Sequence, residues 1–159
     1  MTIVNRSIRS FLTILTLVTN ISASAQALLQ FDSSKIAIMQ PNNIPNKIQW
    51  PFDSSYKPAT LTQTEFHNME ELFIKCVNSH NNALTPEYKP LYIDLNKRNF
   101  RKQLVIVSNS KHEKEVWVNC LCKGYDLDWR TYIHSPDGFR SCYFSLKINL
   151  ATNYCYSFW

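Results

Sequence analysis

The sequence predicts an α+β fold, with one amphipathic helix packed on an antiparallel sheet of about four strands. Three observations predict it. A capped stretch beginning at Thr62 repeats its apolar side chains at helical spacing. After Pro90 the pattern changes to alternation, the period of a strand with two unlike faces. The apolar stripe of the helix and the apolar face of the strands each need cover, and each supplies the other.

Residues 1–25 have the layout of a secretory signal peptide. Arg6 and Arg9 form a positive lead, Phe11 to Val18 a short apolar run, and Ala23-Ser24-Ala25 a small-residue cleavage site before Gln26. The apolar run is too short to span a bilayer, so stable membrane insertion is not expected. Residues 26–60 read as an extended, Pro-rich arm with Pro41, Pro45, Pro51 and Pro58. Within it, Lys35 to Met39 reads as a short strand, and Trp50 and Phe52 as side chains packed on the domain. Phe31-Asp32-Ser33-Ser34 recurs as Phe52-Asp53-Ser54-Ser55, an echo too brief for a repeat array.

Residues 61–159 form the α+β domain. Thr62-Gln63-Thr64-Glu65 is a capping box, and Leu61 and Phe66 stand at the positions of a hydrophobic staple. Phe66, Met69, Phe73, Cys76, Val77 and His80 follow at helical spacing, with Leu72 widening the stripe. The helix should stop near His80, where Asn78 to Asn82 and then Pro86 break the pattern. Gln103 to Val107 is rich in strand-forming residues. In the next strand Val116, Val118, Cys120 and Cys122 share one face, and Trp117, Asn119 and Leu121 the other. Then Cys142, Phe144, Leu146, Ile148 and Leu150 share a face opposite Tyr143, Ser145, Lys147 and Asn149. Tyr154 to Trp159 reads as a last aromatic strand after a short turn at 151–153. Ser108 to Lys114 is a polar hairpin connection, and Lys123 to Phe139 a long loop.

Composition excludes several classes. The formal charge of +5 falls by two when Arg6 and Arg9 leave with the leader. The run Lys97 to Lys102 is then the one basic candidate, too little for a nucleic-acid footprint. Only Gly124 and Gly138 are glycines, so there is no Gly-rich phosphate loop. No glycosylation sequon follows residue 25, which fits bacterial export at least as well as a eukaryotic route. The expected location is secreted or periplasmic, in the bacterial envelope or beyond it.

The segment Glu113 to Cys122, with its Val-Asn-Cys-Leu-Cys core, resembles a family of uncharacterised small secreted bacterial proteins. Trp129 and the strand Asp137 to Leu150, with its Cys-Tyr-Phe centre, fit the same pattern. The likeness covers about residues 61–158. It departs at Asn109 to His112, which has no glycine before Glu113, and at Phe139-Arg140-Ser141 ahead of Cys142. The resemblance implies export and a shared fold, and brings no established activity. The order of helix and sheet is also similar to cystatin-like folds, at the level of architecture alone.

Five cysteines lie beyond the leader: Cys76, Cys120, Cys122, Cys142 and Cys155. An oxidising compartment pairs them, and an odd number leaves one over. Two bridges among five cysteines can be drawn in many ways, and spacing alone does not choose. We expect Cys122–Cys142 at the loop end of a hairpin, closing about 20 residues and worth about 3 kcal/mol. Cys120 then reaches Cys76 on the covering helix. Cys155 is the free-thiol candidate, available for a disulfide-linked dimer.

Other chemistry is thinly signalled. A zinc site needs paired Cys/His spacings, and this chain has C-x-C with His67, His80, His112 and His134 scattered; no metal or other cofactor is expected. The C-x-x-C redox motif is absent, although a cysteine beside a histidine would be the core of a thiol enzyme. Asp126 and Asp128 read as solvated loop carboxylates. Trp117 and Tyr143, on the face away from the core set, and Trp129 in the loop are candidates for a binding surface. The competing reading lays the arm across that face. The expected function is a non-catalytic binding or inhibitory module that contacts a protein, peptide or glycan. The alternative is a small secreted thiol-dependent enzyme. They differ over whether the remaining thiol is buried and inert or exposed and activated.

Overall fold

The computed structural model describes residues 29–41, 52–122, 128–133 and 142–158. The leader, Trp50, most of the 123–139 loop and Trp159 lie outside the described residues. The elements run β1 (Ile36–Met39), β2 (Lys57–Pro58), α1 (Gln63–Ala83), a 3₁₀ turn (Pro86–Leu91), β3 (Phe100–Ser108), β4 (Lys114–Cys122), β5 (Tyr143–Asn149) and β6 (Tyr154–Phe158). The architecture is a mixed α/β fold with one main helix on a mostly antiparallel sheet.

Helix α1 starts where its capping chemistry places it. Thr62 Oγ1 accepts from the Glu65 N–H at 3.2 Å, and the Glu65 carboxylate accepts from the Thr62 N–H at 2.7 Å. Its buried stripe is Phe66, Met69, Leu72, Phe73, Cys76 and Val77. The helix continues past His80 to Ala83. Asparagines end helices when their side chains compete for nearby backbone groups. Asn81 instead exchanges two hydrogen bonds with the backbone of Ile93, at 2.8 and 2.9 Å, and ties the helix end to the following segment.

The sheet is wider than the four expected strands. Its order is β1-β3-β4-β5-β6, with β2 also on β3, six strands in all among the described residues. The two additions come from the arm. β1 runs parallel to β3 along Lys102–Val105, and β2 runs antiparallel to it at Val107–Ser108. Each follows one copy of the Phe-Asp-Ser-Ser echo, and both copies make the same turn. Asp32 Oδ1 accepts from the Ser34 N–H at 2.9 Å, and Asp53 Oδ1 from the Ser55 N–H at 2.8 Å. Such Asx turns are what Asp followed by Ser favours. The phenylalanines part company: Phe31 joins the helix-side core and Phe52 the opposite one.

β3–β4 and β5–β6 are hairpins whose turns place His112 and Asn153 at φ 63° and 53°. Asparagine tolerates this left-handed conformation; His112 is held there by hydrogen bonds around Asn109. The helix-side core joins α1 to Leu104, Ile106, Val116, Val118, Phe144, Leu146 and Ile148. Ion pairs Lys114–Glu65 at 2.7 Å and Lys102–Glu70 at 2.5 Å pin the same two layers.

Candidate functional site

All five cysteines lie in the described residues. Cys122 and Cys142 are bridged, with Cα atoms 5.1 Å apart at the loop end of β4 and β5. Cys76 is bridged to Cys155, not to Cys120, with Cα atoms 6.2 Å apart. The reason is the sheet register. Cys155 lies on the row Val116–Ile148–Cys155, whereas Cys120 lies on the row Lys102–Cys120–Phe144. Four residues along β4 separate the rows, about 13 Å, and a disulfide spans about half of that. α1 brings Cys76 over the first row. The free thiol is therefore Cys120, which has no exposed surface. Burial pushes its thiol far up, an effect the nearby Lys102 ammonium only partly opposes. Cys155 is consumed within the chain and is not a free thiol.

The outer sheet face is also not the open surface that alternation suggested. Trp117 is 2% exposed, Trp129 5% and Tyr143 7%. They form a second core with Phe52, Val105, Val107, Leu121 and Ile133, with Tyr56 packed against it. From the arm, Phe52 and Tyr56 pack on this face, and the 128–133 segment joins them; Trp50, the other side chain of the competing reading, lies outside the described residues. A large apolar face in water is unfavourable, and these two segments remove it.

Polar side chains locate the cover. Gln103 on β3 donates from Nε2 to the carbonyls of Trp129 at 2.5 Å and Tyr132 at 2.6 Å. Its Oε1 accepts from Asn119 Nδ2 at 2.7 Å across the β3–β4 pair. At the other end Lys147 Nζ lies 3.2 Å from Glu115 Oε2. Lys147 Nζ also stands 5.3 Å from the Phe52 ring centre, 5.8 Å from Tyr56 and 4.8 Å from Tyr156. Glu115 accepts further from Tyr56, Asn109 and Asn149. Burial and then the Glu115 charge push the Tyr56 phenol up, so it stays a neutral donor. Sequence reasoning placed Asn119, Lys147 and Asn149 on this face without giving them a role. The signal was present: polar residues on a strand face that also carries Trp117 and Leu121.

Among the described residues, two concave features lie at the rims. A groove of about 450 Å³ between α1 and the β5–β6 turn is lined by Leu72, His80, Ala83, Tyr154 and the Cys76–Cys155 bridge. Burial lowers the His80 pKa, which keeps the imidazole neutral near pH 7. A cleft of about 260 Å³ opens at the β1–β3 edge, lined by Ser34, Lys35, Asn99, Phe100, Arg101 and Arg130. Among the described residues no group of three or more His, Cys, Asp or Glu could hold a metal ion. No described helix is long and apolar enough to cross a membrane. Two disulfides fit an oxidising environment. Compared with known proteins, the chain matches no family model, no curated protein and no solved structure.

Proposed function

We propose that this chain is an exported, non-catalytic binding module, related to the small secreted family whose Val-Asn-Cys core it resembles. The observation that carries the reading is the state of the cysteines. Four are spent in bridges, and the fifth, Cys120, is sealed between helix and sheet with its thiol pushed up. A thiol nucleophile needs the opposite environment, exposed and with a depressed pKa. The rest of the molecule is consistent with a rigid scaffold. One bridge, Cys76–Cys155, joins helix to sheet, the other, Cys122–Cys142, joins neighbouring strands, and the clefts described above lie at the rims, where binding loops sit on such scaffolds. The helix lying over the sheet supports the likeness to cystatin-like folds as a second part of the proposal.

Export from a bacterial host followed by intact-mass analysis tests this. The expected product begins at Gln26, contains two internal bridges, and takes up an alkyl group at Cys120 only after unfolding. A natively fast-alkylating Cys120 whose Ala variant folds but loses an activity would transfer the reading to a thiol enzyme.

A further inference from the structure

A further cleft, of about 300 Å³, lies between α1 and the turn that leads into β3. One wall is α1, with Phe73 and Ile74; the other is the turn, with Leu95, Asn96 and Arg98. The turn is fixed by its own hydrogen bonds. Asp94 Oδ1 accepts from the N–H groups of Asn96 at 3.1 Å and Lys97 at 3.0 Å, and the Asp94 carbonyl accepts from the Arg98 N–H at 3.2 Å.

Arg98 leaves one positive charge in this cleft without a match. Glu70 is the one carboxylate among the described residues lining it, and Glu70 lies 2.5 Å from Lys102 Nζ, which also stands 4.3 Å from the Phe73 ring centre. Asp94 pairs with Lys97, and Asp32 with Lys35. Among the described residues no carboxylate pairs with Arg98. Its Nη1 donates to Cys122 Sγ at 3.8 Å, and a bridged sulfur carries no charge. The guanidinium has five N–H donors, so most of the fork stays open. Beside it the cleft is apolar. Phe73 is buried, Leu95 packs against the helix-side core, and Ile74 is 48% exposed although it stands on a helix whose other large apolar side chains are buried.

We propose that this cleft binds the C-terminus of a peptide whose last residue is apolar. This rests on the binding-module reading and names its partner. A terminal carboxylate brings one charge and two oxygens, the match for a single open guanidinium fork. The apolar side chain gains by covering Ile74 and Leu95. Asn96 offers an amide to the last peptide group. A phosphate monoester carries about −1.5 to −2 charges, more than one guanidinium answers. A free amino acid brings an ammonium beside Arg98 and Lys35, which their like charge disfavours. The volume, at the low end for ligand sites, admits one residue and its terminal group.

The test is an NMR titration of the exported chain with acetyl-Ala-Ala-Leu, with the same tripeptide ending in an amide, and with free leucine. Arg98→Ala, Ile74→Ser and Lys97→Ala are compared with wild type, with circular dichroism as the check that each is folded. The acid should give saturable shifts at residues 94–98 and at Ile74. Binding should be roughly tenfold or more weaker for the amide, for free leucine and in Arg98→Ala, where the charge-assisted pair is lost. It should be roughly fivefold weaker in Ile74→Ser, where the apolar contact is lost. Lys97→Ala, whose cation is exposed and already paired with Asp94, should bind as wild type. No saturable binding of the acid, equal binding of the amide or of free leucine, binding retained in Arg98→Ala or Ile74→Ser, or an equal loss in Lys97→Ala overturns the site. If Cys120 stays inert to alkylation in that case, the binding-module reading survives the loss of this site; fast alkylation would remove both.

Discussion

Lys147 Nζ and Glu115 Oε2 lie 3.2 Å apart beneath the arm, with side chains 16% and 4% exposed. The two residues are diagonal neighbours across β4 and β5, since Glu115 faces Asn149 and Trp117 faces Lys147. Removing one partner strands the other charge. Lys147→Met should therefore destabilise by about 3 kcal/mol, and adding Glu115→Gln should recover part of that loss. Urea unfolding of the single and double variants measures both. Equal stability of the two would show that the aromatic rings, not the carboxylate, hold Lys147.

Gln103 fastens the 128–133 segment through two backbone carbonyls. Gln103→Leu keeps the volume and leaves those carbonyls without their donor, at a cost of about 1–3 kcal/mol each if they stay buried. The cheaper response is release of the segment. We expect red-shifted tryptophan emission and faster proteolysis near Trp129, with α1 and its helical signal unchanged.

The bridges close loops of different length, 79 residues for Cys76–Cys155 and 20 for Cys122–Cys142. Loop entropy makes the longer one worth about 1 kcal/mol more. Chemical unfolding of Cys76→Ala/Cys155→Ala and of Cys122→Ala/Cys142→Ala should rank them in that order.

Acid should loosen the helix-to-sheet contact. Burial alone would raise the Glu65 pKa, but the Lys114 ammonium and the Thr62 N–H together hold it below its usual value. A carboxylate depressed in the folded state stabilises above its unfolded pKa, and that contribution is lost as pH falls through the folded value. Stability should thus decline below about pH 4.5, where carboxylates begin to protonate. In Lys114→Met the decline should be shallower.

Much of this fold was legible because its signals were local. The capping box, the helical stripe and the alternation in β4 and β5 each lie within a few neighbouring residues. What was missed depended on distant pairings. Alternation puts Cys155 on the face opposite Tyr154 and Tyr156 without saying which face of the sheet that is. Only the register Ile148–Cys155, together with the line of α1 across the sheet, shows that Cys76 is above it. The gathering of cations at the β1–β3 edge was equally hidden. Lys35, Arg101 and Arg130 are separated by tens of residues, and the parallel pairing of β1 with β3 draws the first two together. The Phe-Asp-Ser-Ser echo was visible, but its meaning was not, since the two copies serve opposite faces of the sheet.

The bridge between Cys76 and Cys155 also has a mechanical consequence. β6 is an edge strand paired only with β5 among the described residues, and an edge strand pulled from its free end ordinarily unzips one hydrogen bond at a time. Here a load applied at the C-terminus reaches Cys155 almost at once and passes covalently into α1. To move further it must shear the whole helix from the sheet, breaking apolar contacts and two ion pairs together. β6 is therefore a clasp, which turns a strand that would peel away into one that must be sheared off with the helix.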